Sequence, residues 1–285
     1  MSRLVPEVDQ SPSFVSEGRL TLTSGVPVTT SDVTAAGTLY FALYQGNRVR
    51  LFNGAAWQMK TFSERSLALT LTSGKNYDVF LYDNAGTLTL ELSAAWTNDT
   101  ARADALTTQD GVYVKSGATT RLYLGTIRAS AANQTEDSAA KRFVWNMYNR
   151  IVRRMSAVDT TDSWNYTSAA FRQANASAAN QLAFVRGLNE DVASARVWAR
   201  VSSASSLAVA SGIGLDSSTV NSATVLGTRV PNNHAGSYAE YNGVPGLGYH
   251  DLRWLEYSEA TGTTTWYGDS ALTFWQSGIV GTVMA

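Results

Sequence analysis

The chain has 285 residues and a formal net charge of −1, with 22 Lys and Arg against 23 Asp and Glu. Charged residues make up only 16% of the sequence, whereas 30 Ser and 31 Thr supply a neutral, hydroxyl-rich surface. Nucleic-acid binding requires clustered Lys and Arg to contact phosphates, so this composition argues against a nucleic-acid partner. The absence of cysteine excludes disulfides, thiolate metal sites and a Cys nucleophile. With only two histidines as well, the sequence predicts no metal site and no cofactor.

The N-terminal residues predict an arm and no leader sequence. Residues 1–17 carry Pro6 and Pro12 and show no sustained periodicity, which is typical of a flexible or partner-bound arm. No apolar h-region follows Met1, so we expect the chain to be made in a cytosol. No apolar run approaches the roughly 20 residues of a membrane span, so no span is predicted.

Residues 18–134 are predicted to form an antiparallel β domain. Period-2 patterns and Gly or Asn turns recur, because these residues tolerate the positive φ of tight turns. Hairpins are predicted from residues 38–44 to 48–52, from 77–82 to 87–92, and from 112–114 to 121–125. The next segment, residues 135–158, is predicted to be a helix or linker.

A helix is predicted over residues 137–155. Ala140, Val144, Met147 and Ile151 follow spacings of 4, 3 and 4, as a heptad seam requires. Acidic residues precede this stripe and arginines end it, which complements the helix macrodipole. Such a helix can pack on a sheet of its own chain or align three chains at a trimer axis. Its position between two β regions favours the trimer.

Residues 159–285 are predicted to form a C-terminal β-sandwich that resembles a jelly roll. Strand-like segments recur between Gly turns, and residues 248–258 are predicted to be one strand with Asp251 and Arg253 on one face and Leu252 and Trp254 on the other. The expected fold class is therefore mainly β, with an N-terminal β domain, a central helix and a C-terminal sandwich.

Catalytic signals are weak, and no enzyme is predicted. The sequence holds no G-x-S-x-G elbow, Walker loop or H-E-x-x-H motif. His250 and Asp251 are adjacent, so on a strand they would point to opposite faces and could not form part of a triad. A glycosidase needs only two carboxylates, but no spacing selects a pair from those available. These carboxylates are Glu190, Asp191, Asp251, Glu256 and Glu259.

Aromatic residues give the stronger binding signal, because seven of them lie within thirty residues near the C-terminus. Sugar rings stack on such flat apolar faces, which makes these side chains candidate contacts for a glycan or receptor. The alternative is that they fill the sandwich core or a subunit interface. The seven are Tyr238, Tyr241, Tyr249, Trp254, Tyr257, Trp266 and Tyr267.

Several segments resemble a module of tailed-bacteriophage virion proteins. They are GRLTLTSG (18–25), LTSGKNYDVFLYD (71–83), EDSAAKRF (136–143), LRWLEY (252–257) and GTTTWYG (262–268). The resemblance extends over nearly the whole chain after residue 17 and implies a virion appendage, usually a homotrimer, on the tail or the capsid. It supplies no receptor-binding residues.

Three hypotheses follow from these patterns. The first is a trimeric tail fibre or spike that mediates host attachment, with residues 18–134 near the virion and 159–285 facing the host. Its partners would be two further copies, virion proteins bound through the N-terminal region, and a host surface glycan. The second is a capsid decoration or head-fibre protein, and the third a polysaccharide depolymerase. The third is less favoured because such enzymes carry repeated β-helix coils, which are absent here. The expected location is the virion, assembled in the bacterial host cytoplasm.

Overall fold

The computed structural model describes residues 14–230 and 233–285. Most of the predicted arm, residues 1–13, therefore lies outside the described residues. The last residue of the predicted arm, Glu17, is buried and pairs with Arg48 at 2.7 Å. The predicted mainly β fold is confirmed, because strands account for most of the described chain.

Fourteen strands lie between residues 18 and 146. They are β1 Gly18–Thr21, β2 Val33–Ala36, β3 Thr38–Leu43, β4 Arg48–Phe52, β5 Trp57–Thr61, β6 Arg65–Ala68, β7 Asn76–Asn84, β8 Thr87–Leu92, β9 Leu106–Gln109, β10 Val112–Lys115, β11 Ala118–Ala131, β12 Gln134–Asp137, β13 Lys141–Arg142 and β14 Val144–Asn146.

Twelve strands and one 3₁₀ turn, Ala174–Ala176, follow. The strands are β15 Val152–Val158, β16 Ser163–Tyr166, β17 Arg172–Gln173, β18 Gln181–Arg186, β19 Ala193–Ser203, β20 Leu207–Leu215, β21 Thr224–Leu226, β22 Thr228–Val230, β23 His234–Gly243, β24 Gly248–Ser258, β25 Thr264–Tyr267 and β26 Gly278–Met284.

Two large sheets organise these strands. A 14-stranded sheet contains the order β22-β20-β24-β18-β13-β12-β11-β10-β9, and its parallel pair β13–β18 joins the two halves of the chain. A seven-stranded sheet contains the order β15-β26-β19-β23-β21, with β25 also paired to β19. Smaller sheets, β1-β3-β6 and β4-β5, complete the N-terminal half.

The apolar core divides into two main clusters. The first draws on residues between Leu20 and Val144, and the second on residues between Met155 and Val283. The second cluster combines inward side chains of β18, β20 and β24 with those of β19, β23 and β26, so it fills the space between the two large sheets. A small third cluster, which includes Trp145 and Val185, lies between residues of the two halves.

The predicted helix over residues 137–155 is wrong, because this segment contains the last residue of β12, all of β13 and β14, and the beginning of β15. The four residues of the expected trimer seam therefore share no helical face. Val144 lies in the N-terminal core, and Met147 packs beside the third cluster. The Ala140 carbonyl accepts a hydrogen bond from the Ala183 amide, and Ile151 exchanges backbone hydrogen bonds with Ala285.

The charges that seemed to complement a helix dipole have specific partners instead. Asp137 accepts from Arg142 at 2.9 Å and from Arg153 at 3.1 Å. Arg150 pairs with Glu190 and Asp191 at 2.5 and 2.8 Å. The helical spacing extended over only about two and a half heptads. Such a short signal is weak, and the tertiary contacts of these residues override it.

The predicted hairpins are right in two of three cases. β7 pairs with β8 and β10 with β11, both antiparallel as expected. β3 and β4 form at the expected positions, but β3 pairs with β1 and β6, whereas β4 pairs with β5. The hairpin turn of this region is therefore at Asn53 and Gly54, one strand later than predicted.

Candidate functional site

The outer face of the seven-stranded sheet carries the most distinctive surface of the molecule. Along β19, small apolar side chains such as Val197 and Ala199 point into the core, whereas Trp198 and Arg200 alternate with them and point outward. Trp198 stays 44% exposed. A solvated sheet face normally carries polar side chains, so an exposed indole here requires an explanation.

An open cavity of about 370 Å³ lies at one end of this face. We call it the aromatic cleft. Its lining residues are Trp198, Arg200, His234, Ala235, Gly236, Phe274 and Trp275. Its size falls at the lower end of the range of small-molecule sites. The space beside the indole depends on Gly236, because a Cβ there would lie 3.2 Å from the Trp198 Nε1 atom.

The loop between β25 and β26 forms one wall of the cleft. Its two ends meet where the Ser277 amide donates to the Gly268 carbonyl at 2.8 Å. Gly268 fits closely, since a Cβ there would lie 2.3 Å from the Thr161 carbonyl oxygen. The tip of the loop presents Phe274, which is 71% exposed, and its ring lies 5.7 Å from that of Trp275 at nearly a right angle. The fixed base therefore holds an aromatic pair, exposed Phe274 and half-buried Trp275, beside the cleft.

Arg200 forms the charged part of the cleft. Its Cζ atom lies 3.6 Å from the Trp275 ring centroid and 4.5 Å from that of Tyr267. Its Nη1 donates to Ser270 Oγ at 3.4 Å, and its Nη2 lies 2.9 Å from His234 Nε2. Cation–π contacts and a neutral imidazole therefore hold this guanidinium.

His234 is held in one protonation state by these contacts. Because arginine can only donate, the Nε2 atom of His234 must accept, which places the imidazole proton on Nδ1. Partial burial and the charge of Arg200 both lower the pKa of His234 below its ordinary 6.5. The imidazole is therefore neutral at pH 7, and its Nε2 lone pair is occupied rather than free to act as a base.

An apolar row crosses the same face beside the cleft. In register from β15 to β21, the apolar row consists of Val158, Gly278, Trp198, Tyr238 and Leu226. Leu226 is 62% exposed, and the polar side-chain groups of the row are the indole N–H of Trp198 and the phenolic hydroxyl of Tyr238. Contiguous exposed apolar surface of this kind marks interaction sites in soluble proteins.

The structure brings two of the seven predicted aromatic contacts to this face. Tyr267 lies beneath Arg200, and Tyr238 faces outward next to Trp198. Trp254, Trp266 and Tyr241 are buried in the second core cluster and present no open ring face.

The remaining two predicted contacts lie elsewhere and are half-buried. Tyr249 stacks under Arg128 at 3.5 Å, and burial raises its pKa to about 12. Tyr257 packs against Phe171, with ring centroids 5.4 Å apart. Neither ring lines the aromatic cleft.

The five candidate carboxylates are dispersed among separate contacts. Glu190 and Asp191 both pair with Arg150. Asp251 pairs with Arg253 at 2.7 Å. Glu256 is fully buried and pairs with Arg172 at 2.7 Å, while Glu259 accepts from the Ala208 amide at 2.8 Å. None of the five lines the aromatic cleft.

The second histidine also has a partner. His250 Nδ1 lies 2.8 Å from Asp216, not from its neighbour Asp251. The carboxylate of Asp251 instead accepts from Arg253. Burial would raise the pKa of Asp216, but the contact with His250 and the amide of Asp251 hold it below its usual value.

Sequence reasoning missed all seven lining residues of the cleft, although signals exist for some of them. Ala195, Val197, Ala199 and Val201 alternate along β19, and this period of 2 places Trp198 and Arg200 on the opposite, outer face. Phe274 and Trp275 are consecutive and lie in a segment with turn residues, which is typical of a surface loop. His234 could not be found this way, because its approach to Arg200 depends on the pairing of β23 with β19.

Residues 14–230 and 233–285 contain no group of three or more His, Asp or Glu side chains placed to hold a metal ion. They also contain no helix with the length and apolar character needed to cross a membrane.

Comparison with models of protein families gave no match, and comparison with curated proteins gave none either. Among solved structures, the insecticidal delta-endotoxin Cry8Ea1 from Bacillus thuringiensis is 7% identical, with a TM-score of 0.27 over 94% of this chain and 52% of the toxin. A β-porphyranase of glycoside hydrolase family 86 from Bacteroides plebeius is 12% identical, with a TM-score of 0.25 over 90% and 38%. A Cry1Da tryptic core variant from Bacillus thuringiensis is 6% identical, with a TM-score of 0.21 over 88% and 48%.

The chain therefore spans about half or less of each of these proteins. At such TM-scores the similarities carry no argument about function, which must come from the residues of the cleft.

Proposed function

We propose that this chain is a non-enzymatic carbohydrate-binding protein and that the aromatic cleft is its ligand site. The observation that carries the proposal is the cleft itself, where exposed Trp198 and Phe274 present flat apolar faces beside a guanidinium and a hydroxyl group. Sugars offer both C–H faces for stacking and hydroxyls for hydrogen bonds, so they match this combination. Binding rather than turnover is favoured because the lining residues include no carboxylate.

The biological setting that we propose is host attachment by a tailed-phage virion. Support comes from the resemblance of residues 18–25, 71–83, 136–143, 252–257 and 262–268 to virion appendage proteins. In this proposal the N-terminal region contacts other virion proteins, and the cleft meets a host surface glycan. A capsid decoration or head-fibre protein would use the same cleft, and immunogold labelling of the particles would distinguish head from tail. Depolymerase activity is the third option and would require turnover of host polysaccharide.

A glycan array probed with the full chain tests the ligand class. We expect the wild-type protein to bind at least one glycan, and Trp198→Ala and Phe274→Ala each to weaken that binding. The matched control is Trp57→Ala, since Trp57 is a partly exposed tryptophan on the separate β4-β5 sheet. The proposal fails if no glycan binds, or if Trp198→Ala binds as tightly as the wild-type protein and Trp57→Ala.

Self-association is a second proposed function, and the apolar row favours it. Five strands present an outward row whose polar side-chain groups are only the Trp198 indole N–H and the Tyr238 hydroxyl, and three of its members, Val158, Trp198 and Leu226, are exposed. A further copy of this chain would cover this surface, in agreement with the homotrimer that the sequence resemblance implies. Because Trp198 belongs to both the row and the cleft, covering the row is an alternative to sugar stacking on Trp198. Residues 137–155 form no helix that could align three chains. In this proposal the apolar row is the contact between copies instead.

A further inference from the structure

The charge of Arg200 has no carboxylate partner within the described chain. Some other partly buried arginines are neutralised by an acid: Arg102 pairs with Asp78, and Arg172 with Glu256. Arg19 and Arg186 also lack a carboxylate, but they are almost fully buried and donate to backbone carbonyls. Arg200 differs from both groups, because it lines an open cavity and its polar contacts are an imidazole and a hydroxyl.

The contacts of Arg200 also leave donors available. A guanidinium has five N–H groups, of which the contacts with Ser270 and His234 use one on each Nη atom. Three N–H groups are left over within the described residues: one on each Nη atom and the one on Nε, which is buried and has no hydrogen-bond partner. The rings of Trp275 and Tyr267 fix the plane of the group, so its rotamer is largely set before any ligand arrives. A planar guanidinium with a donor left over on each Nη atom can donate to both oxygens of a carboxylate.

We propose that the aromatic cleft binds an acidic sugar, with the carboxylate on Arg200 and the sugar ring against Trp198 or Phe274. This inference rests on the proposed carbohydrate function and names its ligand class. A sugar fits better than an acidic peptide because hydroxyl groups surround the guanidinium: Ser270 Oγ contacts it, and the hydroxyls of Ser202 and Tyr267 lie 2.9 Å apart nearby. These groups complement the hydroxyls of a pyranose.

Isothermal titration of the full chain with paired ligands tests the inference. The ligands are the methyl glycosides of galacturonic acid, glucuronic acid and N-acetylneuraminic acid, each compared with its methyl ester. We expect at least one acid to bind about tenfold or more tighter than its ester, as a charge-assisted bidentate contact should provide. The three acids together distinguish a uronic from a sialic acid ligand, and an acidic hexapeptide tests the peptide alternative.

Two substitutions localise the effect. Arg200→Gln should abolish the preference for the acid, and Arg200→Lys should retain part of it because the charge remains without the planar fork. The matched control is Arg196→Gln, which removes an exposed arginine from the same strand and face, where Arg196 pairs with Glu240 at 3.0 Å. That control should keep the full preference, and circular dichroism should show all three variants folded.

The outcomes separate this inference from the proposed function. If acids and esters bind equally and Trp198→Ala weakens both, the cleft binds sugars but the acidic-ligand inference is overturned. If Arg196→Gln reduces the preference as much as Arg200→Gln does, general surface charge explains it and the inference also fails. If no sugar binds, or only the peptide binds, both proposals fail.

Discussion

Arg102 and Asp78 form an ion pair of 2.7 Å at the boundary between the two halves of the chain. The Asp78 side chain is fully buried, and Arg102 covers it while stacking 4.5 Å over the Trp96 ring. Arg102 also donates to the Gly187 carbonyl, which belongs to the segment after β18. One side chain therefore neutralises a core charge in the N-terminal half and contacts the C-terminal half.

Arg102→Met should destabilise the protein strongly, because it leaves the Asp78 charge buried without its partner. Removing one member of a buried pair typically costs about 3–5 kcal/mol. Arg121→Met is the matched control, since Arg121 pairs at 3.3 Å with Glu91 on a more exposed surface, where such pairs contribute about 1 kcal/mol or less. Urea unfolding measures both free energies. Equal losses in the two variants would contradict the role assigned to Arg102.

Exposed and buried tryptophans should respond differently to truncation. Trp266 is fully buried in the second core cluster, so Trp266→Ala should lower the free energy of unfolding by about 3–5 kcal/mol. Trp198 lies on the outer face, so Trp198→Ala should change it by about 1 kcal/mol or less. Thermal unfolding provides the comparison. A large loss of stability in Trp198→Ala would mean that its effect on glycan binding reports unfolding and not a lost contact.

The strand content could be read from the sequence because alternation and turn chemistry are local. Residues 77–92, for example, contain both strands and the turn of β7 and β8. The helix prediction for residues 137–155 was wrong because helical spacing over a short window is weak evidence. Phe143, Val144 and Trp145 form a consecutive buried run of β-forming residues, which was a competing local signal.

The cleft could be predicted only in part, because its residues are distant in sequence. Pairing of β19 with β23 and β25 places His234 and Tyr267 beside Arg200, and no local pattern specifies that register. The density of aromatics near the C-terminus indicated the right region of the chain. It did not distinguish rings that fill the core, such as Trp254, from rings that face solvent.

Leu226→Asp should disrupt self-association if the apolar row is a subunit interface. The substitution places a charge at an exposed end of the row, where burial against a second copy would desolvate it. Val220→Asp is the control, since Val220 is 63% exposed but lies in the loop before β21 and outside the row. Light scattering at micromolar concentration should show an oligomer for the wild type and Val220→Asp, and a monomer for Leu226→Asp. A monomeric wild-type protein would contradict the trimer.

Stability should fall at acid pH through Asp159, which supports the loop of the aromatic cleft. Burial alone would raise the pKa of Asp159, but hydrogen bonds from Asn180, Thr161 and Asn175 hold it below its ordinary value of 3.8. The unfolded chain therefore takes up this proton more readily than the folded chain. The stabilisation is complete above the ordinary pKa and is lost as the pH falls through the lower, folded value.

Asp159→Asn removes this titration, so the stability gap between wild type and variant should shrink from about pH 6 to about pH 3. Urea unfolding at the two pH values measures the gap, and Asp162→Asn, at an exposed carboxylate three residues away, corrects for the loss of one negative charge. Ligand binding in the cleft should also weaken at about pH 3, because the Asp159 amide donates to the Ser277 carbonyl at the base of the loop that forms one wall of the cleft. A gap that stays constant with pH would show that the hydrogen bonds to Asp159 do not favour its ionised form.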